Sequence, residues 1–198
     1  MSKQAVKSES YLAPFNPTDK GAISQVVKLA NFLDTDVLCD LGCGDGRVLI
    51  NAVKKSPLQR AIGVEYDEVY YKRAKEAVAK EGLERQISII FGDANVVDTS
   101  EVTVFFVYLV PEGLKKIRPK VIDALTQNPG CRVLSNIFSI PDLVPTAVFR
   151  YSRANLKLFL YDAQSVRVGS KAFFEFSRRY VSVVVAALFV SVSWLSSR

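Results

Sequence analysis

The run Asp40-Leu-Gly42-Cys-Gly44-Asp45-Gly46 concentrates more chemistry than any other stretch of the chain. Three glycines alternate with other residues, and a carboxylate stands before them and another inside them. Glycine accepts positive φ and lets a ligand come close to the backbone. A dinucleotide loop is spaced G-x-G-x-x-G and holds a pyrophosphate at the N-terminus of the next helix. The spacing here is G-x-G-x-G, and Asp40 and Asp45 would repel a pyrophosphate. They suit a ligand carrying cationic groups, such as an ammonium and a sulfonium. Glu65 follows about 20 residues on, where a carboxylate at a strand end can accept hydrogen bonds from both hydroxyls of a ribose. Asp93, in Phe91-Gly92-Asp93-Ala94, can accept an adenine amino group, with the Ala94 amide reaching a ring nitrogen. For each acid the plainer reading is a turn or a strand-end carboxylate with no ligand. The glycine loop upstream is what favours a shared site.

These residues must be held by elements, and the pattern supplies them. Residues 1–20 read as irregular, because Pro14 and Pro17 resist helix. Thr18 or Asp19 can cap a helix over 20–33. Short apolar runs at 37–39, 61–64 and 87–91 read as strands and end at Asp40, Glu65 and Gly92-Asp93. Helices over 47–54 and 67–81 lie between them. A fourth strand at 102–110 is apolar on both faces, as at the centre of a parallel sheet. A helix over 112–126 carries Pro119, which invites a break or kink. A fifth strand at 131–138 precedes two more at 146–152 and 156–163, joined through Arg153-Ala-Asn155 as a hairpin. Alternation of strand and helix followed by a strand pair predicts a doubly wound, mostly parallel seven-stranded α/β sheet with an antiparallel closing hairpin. In such sheets the ligand lies beyond the carboxyl ends of the strands.

Composition removes several chemistries. The chain has 198 residues, 49% of them hydrophobic, enough for one cored domain. It has no histidine, which excludes Ser-His-Asp and Cys-His machinery and any imidazole base. Cys39, Cys43 and Cys131 are too few for a four-coordinate structural zinc, so no metal is expected. Three cysteines and a polar start also point to a reducing, intracellular setting, cytoplasmic or mitochondrial. The net charge of +6 is spread without a basic run, which supports a nucleic-acid partner only weakly.

The quoted residues carry a resemblance. DLGCGDGR, GVE and GDA resemble motifs I, II and III of class I S-adenosylmethionine (SAM)-dependent methyltransferases, over residues 11–165. The resemblance implies the Rossmann-like methyltransferase fold, SAM as methyl donor, and cofactor contacts from Asp40, Gly42, Gly44, Asp45, Gly46, Glu65, Asp93 and Ala94. Tyr11-Leu-Ala-Pro-Phe-Asn-Pro17, Val107-Tyr-Leu-Val-Pro111 and Arg118-Pro119-Lys120 are also similar to a small group of protein-lysine methyltransferases. Members of that group act on the ATP synthase c-subunit and the adenine nucleotide translocase, and it has bacterial relatives. The resemblance implies a lysine amine on a protein as acceptor, with RNA, a small molecule or an inert SAM-binding module as alternatives. The end of the fourth strand lacks the Asn/Asp-Pro-Pro-aromatic motif that many amino-methylating enzymes of nucleic acid and glutamine carry.

Residues proposed to line the acceptor pocket are Tyr11, Tyr108 and Asn136. They belong to the N-terminal segment and to the ends of the fourth and fifth strands, where this fold admits substrate. The chain divides into an irregular segment (1–19), a methyltransferase domain (20–166) and an apolar tail (167–198). Residues 180–197 carry no charge and would span about 27 Å as a helix, slightly less than a bilayer core. A membrane anchor, a segment packed on the domain or a partner, and a loose tail are the competing readings.

Overall fold

A computed structural model describes residues 12–151 and 155–166. Tyr11, most of the expected hairpin turn and the apolar tail lie outside the described residues. Among the described residues, eleven elements follow in chain order. They are α1 (Lys20–Ala30), β1 (Val37–Leu41), α2 (Arg47–Lys55), β2 (Arg60–Glu65), α3 (Glu68–Lys80), β3 (Ile87–Phe91), β4 (Val104–Val107), α4 (Pro111–Gln127), β5 (Arg132–Asn136), β6 (Ala147–Arg150) and β7 (Lys157–Tyr161).

The strands form one seven-stranded sheet in the order β3-β2-β1-β4-β5-β7-β6. β1 to β5 run parallel, and β7 is antiparallel to both β5 and β6. The doubly wound sheet with an antiparallel closing pair is therefore the fold. Strand order reverses between β1 and β4, and the ends of β1, β2 and β4 open at that switch point. One face of the sheet packs Leu38, Val104, Phe106 and Leu134 against α1 and α2 residues such as Ile23, Val26 and Leu49. The other packs Leu41, Phe105, Val107 and Val133 against Leu114, Ile117, Val121 and Leu125 of α4.

Element ends moved for local reasons. Asp19, rather than Thr18, caps α1, accepting from the Gly21 amide at 2.7 Å. That helix ends at Ala30, short of the expected 33, because Asn31 takes a left-handed φ of 46°. β4 is only four residues long. Thr103, just before it, bonds through its backbone to the Val37 carbonyl and the Arg132 amide, while its hydroxyl donates to the Asp36 carboxylate and accepts from the Val37 amide. β5 stops at Asn136, because Ile137 has φ 67°. Pro119 does not break α4, which runs unbroken from Pro111 to Gln127. An interior proline costs about 3 kcal/mol. Burying Leu114, Ile117, Val121 and Leu125, at about 1.5–3 kcal/mol each, outweighs it.

At the amino ends of the strands, Arg132 and Asp36 close the sheet. Arg132 Nη2 lies 2.5 Å from Asp36 Oδ2, and Arg132 Nε donates to the Ala30 carbonyl at 2.7 Å. Burial alone would raise the Asp36 carboxyl. The bonds from Arg132, the Leu33 amide and Thr103 outweigh it and hold the group below its usual range.

Candidate functional site

The glycine loop leaves β1 and folds onto β2. The amides of Gly42 and Cys43 both donate to the Val64 carbonyl, at 2.8 and 3.0 Å. Gly46 then starts α2 with φ 76°, a conformation few L side chains adopt. A Cβ at Gly46 would lie 3.4 Å from that of Ala74, an ordinary contact, so it is the positive φ that favours glycine there. Gly44, at φ 57°, sits at the bend, where a Cβ would come within 2.6 Å of the Phe15 ring. That ring stacks on Tyr70, with centroids 4.0 Å apart.

Loop and strand ends enclose a cavity of about 230 Å³. Its walls include Asp40, Gly42, Gly44, Asp45, Glu65, Ala94 and Tyr108, brought together from four segments. The N-terminal stretch from Leu12 to Thr18 supplies the remaining side. Asp40 is 3% exposed, and none of the described residues hydrogen-bonds its carboxylate. Burial, with Glu65 and Asp45 nearby, pushes its carboxyl well above the usual carboxylate range. A buried acid facing a cavity without a partner is a site that a cation would stabilise.

Glu65 is organised differently. Its Oε2 accepts from the Gly44 amide and its Oε1 from the Asp67 amide, each at 2.8 Å. It ties the glycine loop to the start of α3 and keeps lone pairs for a ligand hydroxyl. Asp45 departs from its expected role as a free negative charge. Burial would raise its carboxyl, but Arg47 binds it through Nε and Nη2, the latter at 2.5 Å, and holds it below its usual range. Asp45 thus lines the cavity as half of an ion pair, and Asp40 carries the charge that faces a ligand. Asp93 lies between the wall residues Gly92 and Ala94, and its Oδ1 accepts from the amide and side chain of Asn95.

Tyr108 follows β4 directly and is half-buried on the cavity wall. Its hydroxyl accepts from Asn16 Nδ2 at 2.7 Å. Burial pushes its pKa up while the Asn16 bond pulls it down, and the net shift is upward, so it is a neutral phenol at pH 7. Asn136 is not on that wall. It is 1% exposed, and its Oδ1 accepts from the Tyr151 hydroxyl at 2.5 Å. Its expected contact with an acceptor is corrected accordingly: it anchors Tyr151, which packs in the same core cluster that Tyr108 borders. Tyr11, the third expected pocket residue, lies outside the described residues.

The structure adds Tyr70 and Tyr151, which no motif marked, and gives contacts to Phe15 and Asn16, which the sequence marked only as part of the resemblance over residues 11–17. Cys43 lies in the loop, where burial, Asp40 and Glu65 push its thiol far above its ordinary value. It stays protonated and does not act as a nucleophile. Among the described residues no group of three acidic, cysteine or histidine side chains could hold a metal, and no helix is long and apolar enough to cross a membrane.

The family model for the ANTKMT methyltransferase domain matches residues 40–147, from Asp40 to the start of β6. A protein-lysine N-methyltransferase of Saccharolobus islandicus (strain REY15A) is 32% identical over 148 residues, 75% of this chain and 91% of the relative. Among solved structures, an RNA methyltransferase from Salinibacter ruber in complex with S-adenosyl-L-homocysteine is 31% identical. It superposes with a TM-score of 0.68, covering 74% of this chain and 92% of that one. A precorrin-6y C5,15-methyltransferase from Geobacter metallireducens is 14% identical, with a TM-score of 0.61 and coverage of 77% and 93%, a likeness of fold alone.

Proposed function

The chain belongs to the ANTKMT methyltransferase domain family, and on that premise we propose that it transfers a methyl group from SAM to the side-chain amine of protein lysine. The observation that carries the donor half is Asp40, a buried carboxylate without a partner among the described residues, at the floor of a glycine-lined cavity. SAM carries an ammonium and a sulfonium, and Asp40 suits the former. Gly44 leaves room where any side chain would block the loop, and Glu65 offers free lone pairs to the ribose hydroxyls. Gly92 and Ala94, on either side of Asp93, line the end where adenine fits. When bound there, SAM supplies a methyl group on a sulfonium: an attacking amine forms the N–C bond as the C–S bond breaks, sulfur keeps the electron pair, and the product ammonium returns a proton to solvent.

The chain's own residues then have two tasks. They must hold the donor and acceptor in line, which contributes much of the rate in such a displacement. They must also favour the neutral amine. A lysine with a reference pKa of about 10.4 is protonated at pH 7, and deprotonating it in water costs roughly 4–5 kcal/mol. Phe106, Leu109 and Pro14 line the cavity beside Tyr108, and apolar walls disfavour the ammonium. Tyr108, a neutral phenol, can contact the amine without stabilising its charged form. Similarity to the protein-lysine N-methyltransferase of S. islandicus supports lysine as the acceptor.

RNA is the second reading, favoured by the Salinibacter relative's name and by the net charge of +6. Against it, a phosphate backbone is held by clustered Lys and Arg, and the positive charge of this chain is spread without a basic run. Incubation of the protein with methyl-tritiated SAM and a cell extract decides between them. Label in protein supports lysine. Label in ribonuclease-sensitive material would replace lysine with RNA.

A further inference from the structure

Residues 12–18 cross the cavity and are held at three points. The Leu12 carbonyl packs so closely on α4 that a Cβ at Gly113 would lie 2.4 Å from it. Phe15 lies over Gly44 and stacks on Tyr70. Between them, Asn16 Nδ2 donates to Tyr108 Oη at 2.7 Å. That bond uses one lone pair of the Tyr108 oxygen and one amide hydrogen of Asn16. It leaves the Asn16 carbonyl oxygen as an acceptor, with no donor among the described residues. Both residues line the cavity, and Asn16 is exposed at its mouth.

A neutral primary amine has one lone pair and two N–H hydrogens. For the lone pair to face a methyl carbon, the hydrogens need acceptors on the opposite side. We propose that Asn16 contacts the acceptor: its carbonyl oxygen takes one N–H of the incoming lysine amine, while its amide N–H holds the Tyr108 hydroxyl beside it to take the other. This rests on the amine-acceptor reading above. An amide suits the position because it is uncharged. It orients the amine without the attraction for an ammonium that a carboxylate in its place would exert.

The test uses the full chain and a bisubstrate probe. The probe is a SAM analogue with nitrogen in place of sulfur, bearing a two-carbon aminoalkyl arm, which sets its amine where the attacking amine meets the methyl carbon. Calorimetry compares it with S-adenosylhomocysteine, which has no arm. Wild type is expected to bind the probe about 10- to 100-fold more tightly than the reference. Asn16→Ala should lose about 10-fold of that advantage and leave the reference affinity unchanged. At pH 8 the wild type should release about one proton as the arm binds neutral, read from two buffers of different ionisation enthalpy. Asn16→Asp should suppress that release, an effect a merely structural role would not produce. An advantage retained in Asn16→Ala, or an equal loss for both ligands, would overturn the assignment and leave the amine reading standing. No advantage in wild type would overturn both.

Discussion

Replacing Asp40 by Asn should move ligand affinity and stability in opposite directions. The carboxylate is 3% exposed and has no partner among the described residues, while Glu65 and Asp45 add negative charge nearby. Its carboxyl is therefore harder to ionise in the folded protein than in the unfolded chain. The folded state binds that proton more tightly, so ionisation costs stability as pH rises above the ordinary carboxylate value, about 3.9. The penalty is complete above the raised value. The Asp40→Asn change would remove it, and the thermal midpoint of the ligand-free protein near neutral pH should rise by about 2–4 °C for each kcal/mol relieved. A cationic ligand reverses the sign. Two unit charges about 4 Å apart attract by about 4 kcal/mol at an effective dielectric of 20, before desolvation is subtracted. A net loss of about 2–3 kcal/mol, roughly 30- to 150-fold in Kd, is expected for SAM and for S-adenosylhomocysteine, since both carry the ammonium. Methylthioadenosine, which lacks it, should bind the variant and wild type alike. Wild-type SAM affinity should also weaken as pH falls through the raised value, with a flat response in the variant. Calorimetry and thermal scanning check each arm. Unchanged SAM affinity, or a lower midpoint without ligand, would refute the reading of Asp40 as an unpaired acid awaiting a cation.

Gly44→Ala puts a Cβ at φ 57° and 2.6 Å from the Phe15 ring, so SAM affinity should fall at least 10-fold, with about 1–3 kcal/mol of backbone strain visible in urea melts. Tyr108→Phe keeps the aromatic wall but removes the acceptor of the Asn16 bond. Methyl transfer should slow about 10-fold or more while SAM affinity in calorimetry stays within about two-fold. Arg132→Met leaves Asp36, whose side chain is 5% exposed, without its ion pair, and should destabilise by about 3 kcal/mol, the lower end for a buried pair because Arg132 is itself 21% exposed. That corresponds to about 6–12 °C in the thermal midpoint. Since Asp36 is held below its usual range, its contribution is present above the ordinary carboxylate value and is lost as pH falls through the depressed one. The gap between variant and wild type should therefore narrow in acid.

What the sequence made legible was set by local spacing. Strand, glycine loop and helix lie within a short stretch, so Asp40 to Gly46 could be read without neighbours, and Glu65 followed from the length of one strand–helix–strand unit. The ion pair of Asp45 with Arg47 is also local, two residues apart, and its consequence for Asp45 could have been drawn from the DGR run. Long-range pairings were not legible. Asn136 meets Tyr151 across the closing strands, and that contact turns it from a wall residue into an anchor. Asn16 meets Tyr108 across 92 residues, and although Asn16 lies in the stretch 11–17 that carries the resemblance, nothing local names its partner. Pro119 misled because helix propensity is local, whereas the packing that carries α4 through it comes from the sheet.

The most direct test of the central claim is the identity of the methylated residue. After reaction with methyl-tritiated SAM, labelled protein can be hydrolysed in acid and its amino acids separated. Tritium is expected in N-methylated lysine, abolished by Gly44→Asp. Label in any other product, or none from a protein that binds SAM, would contradict it.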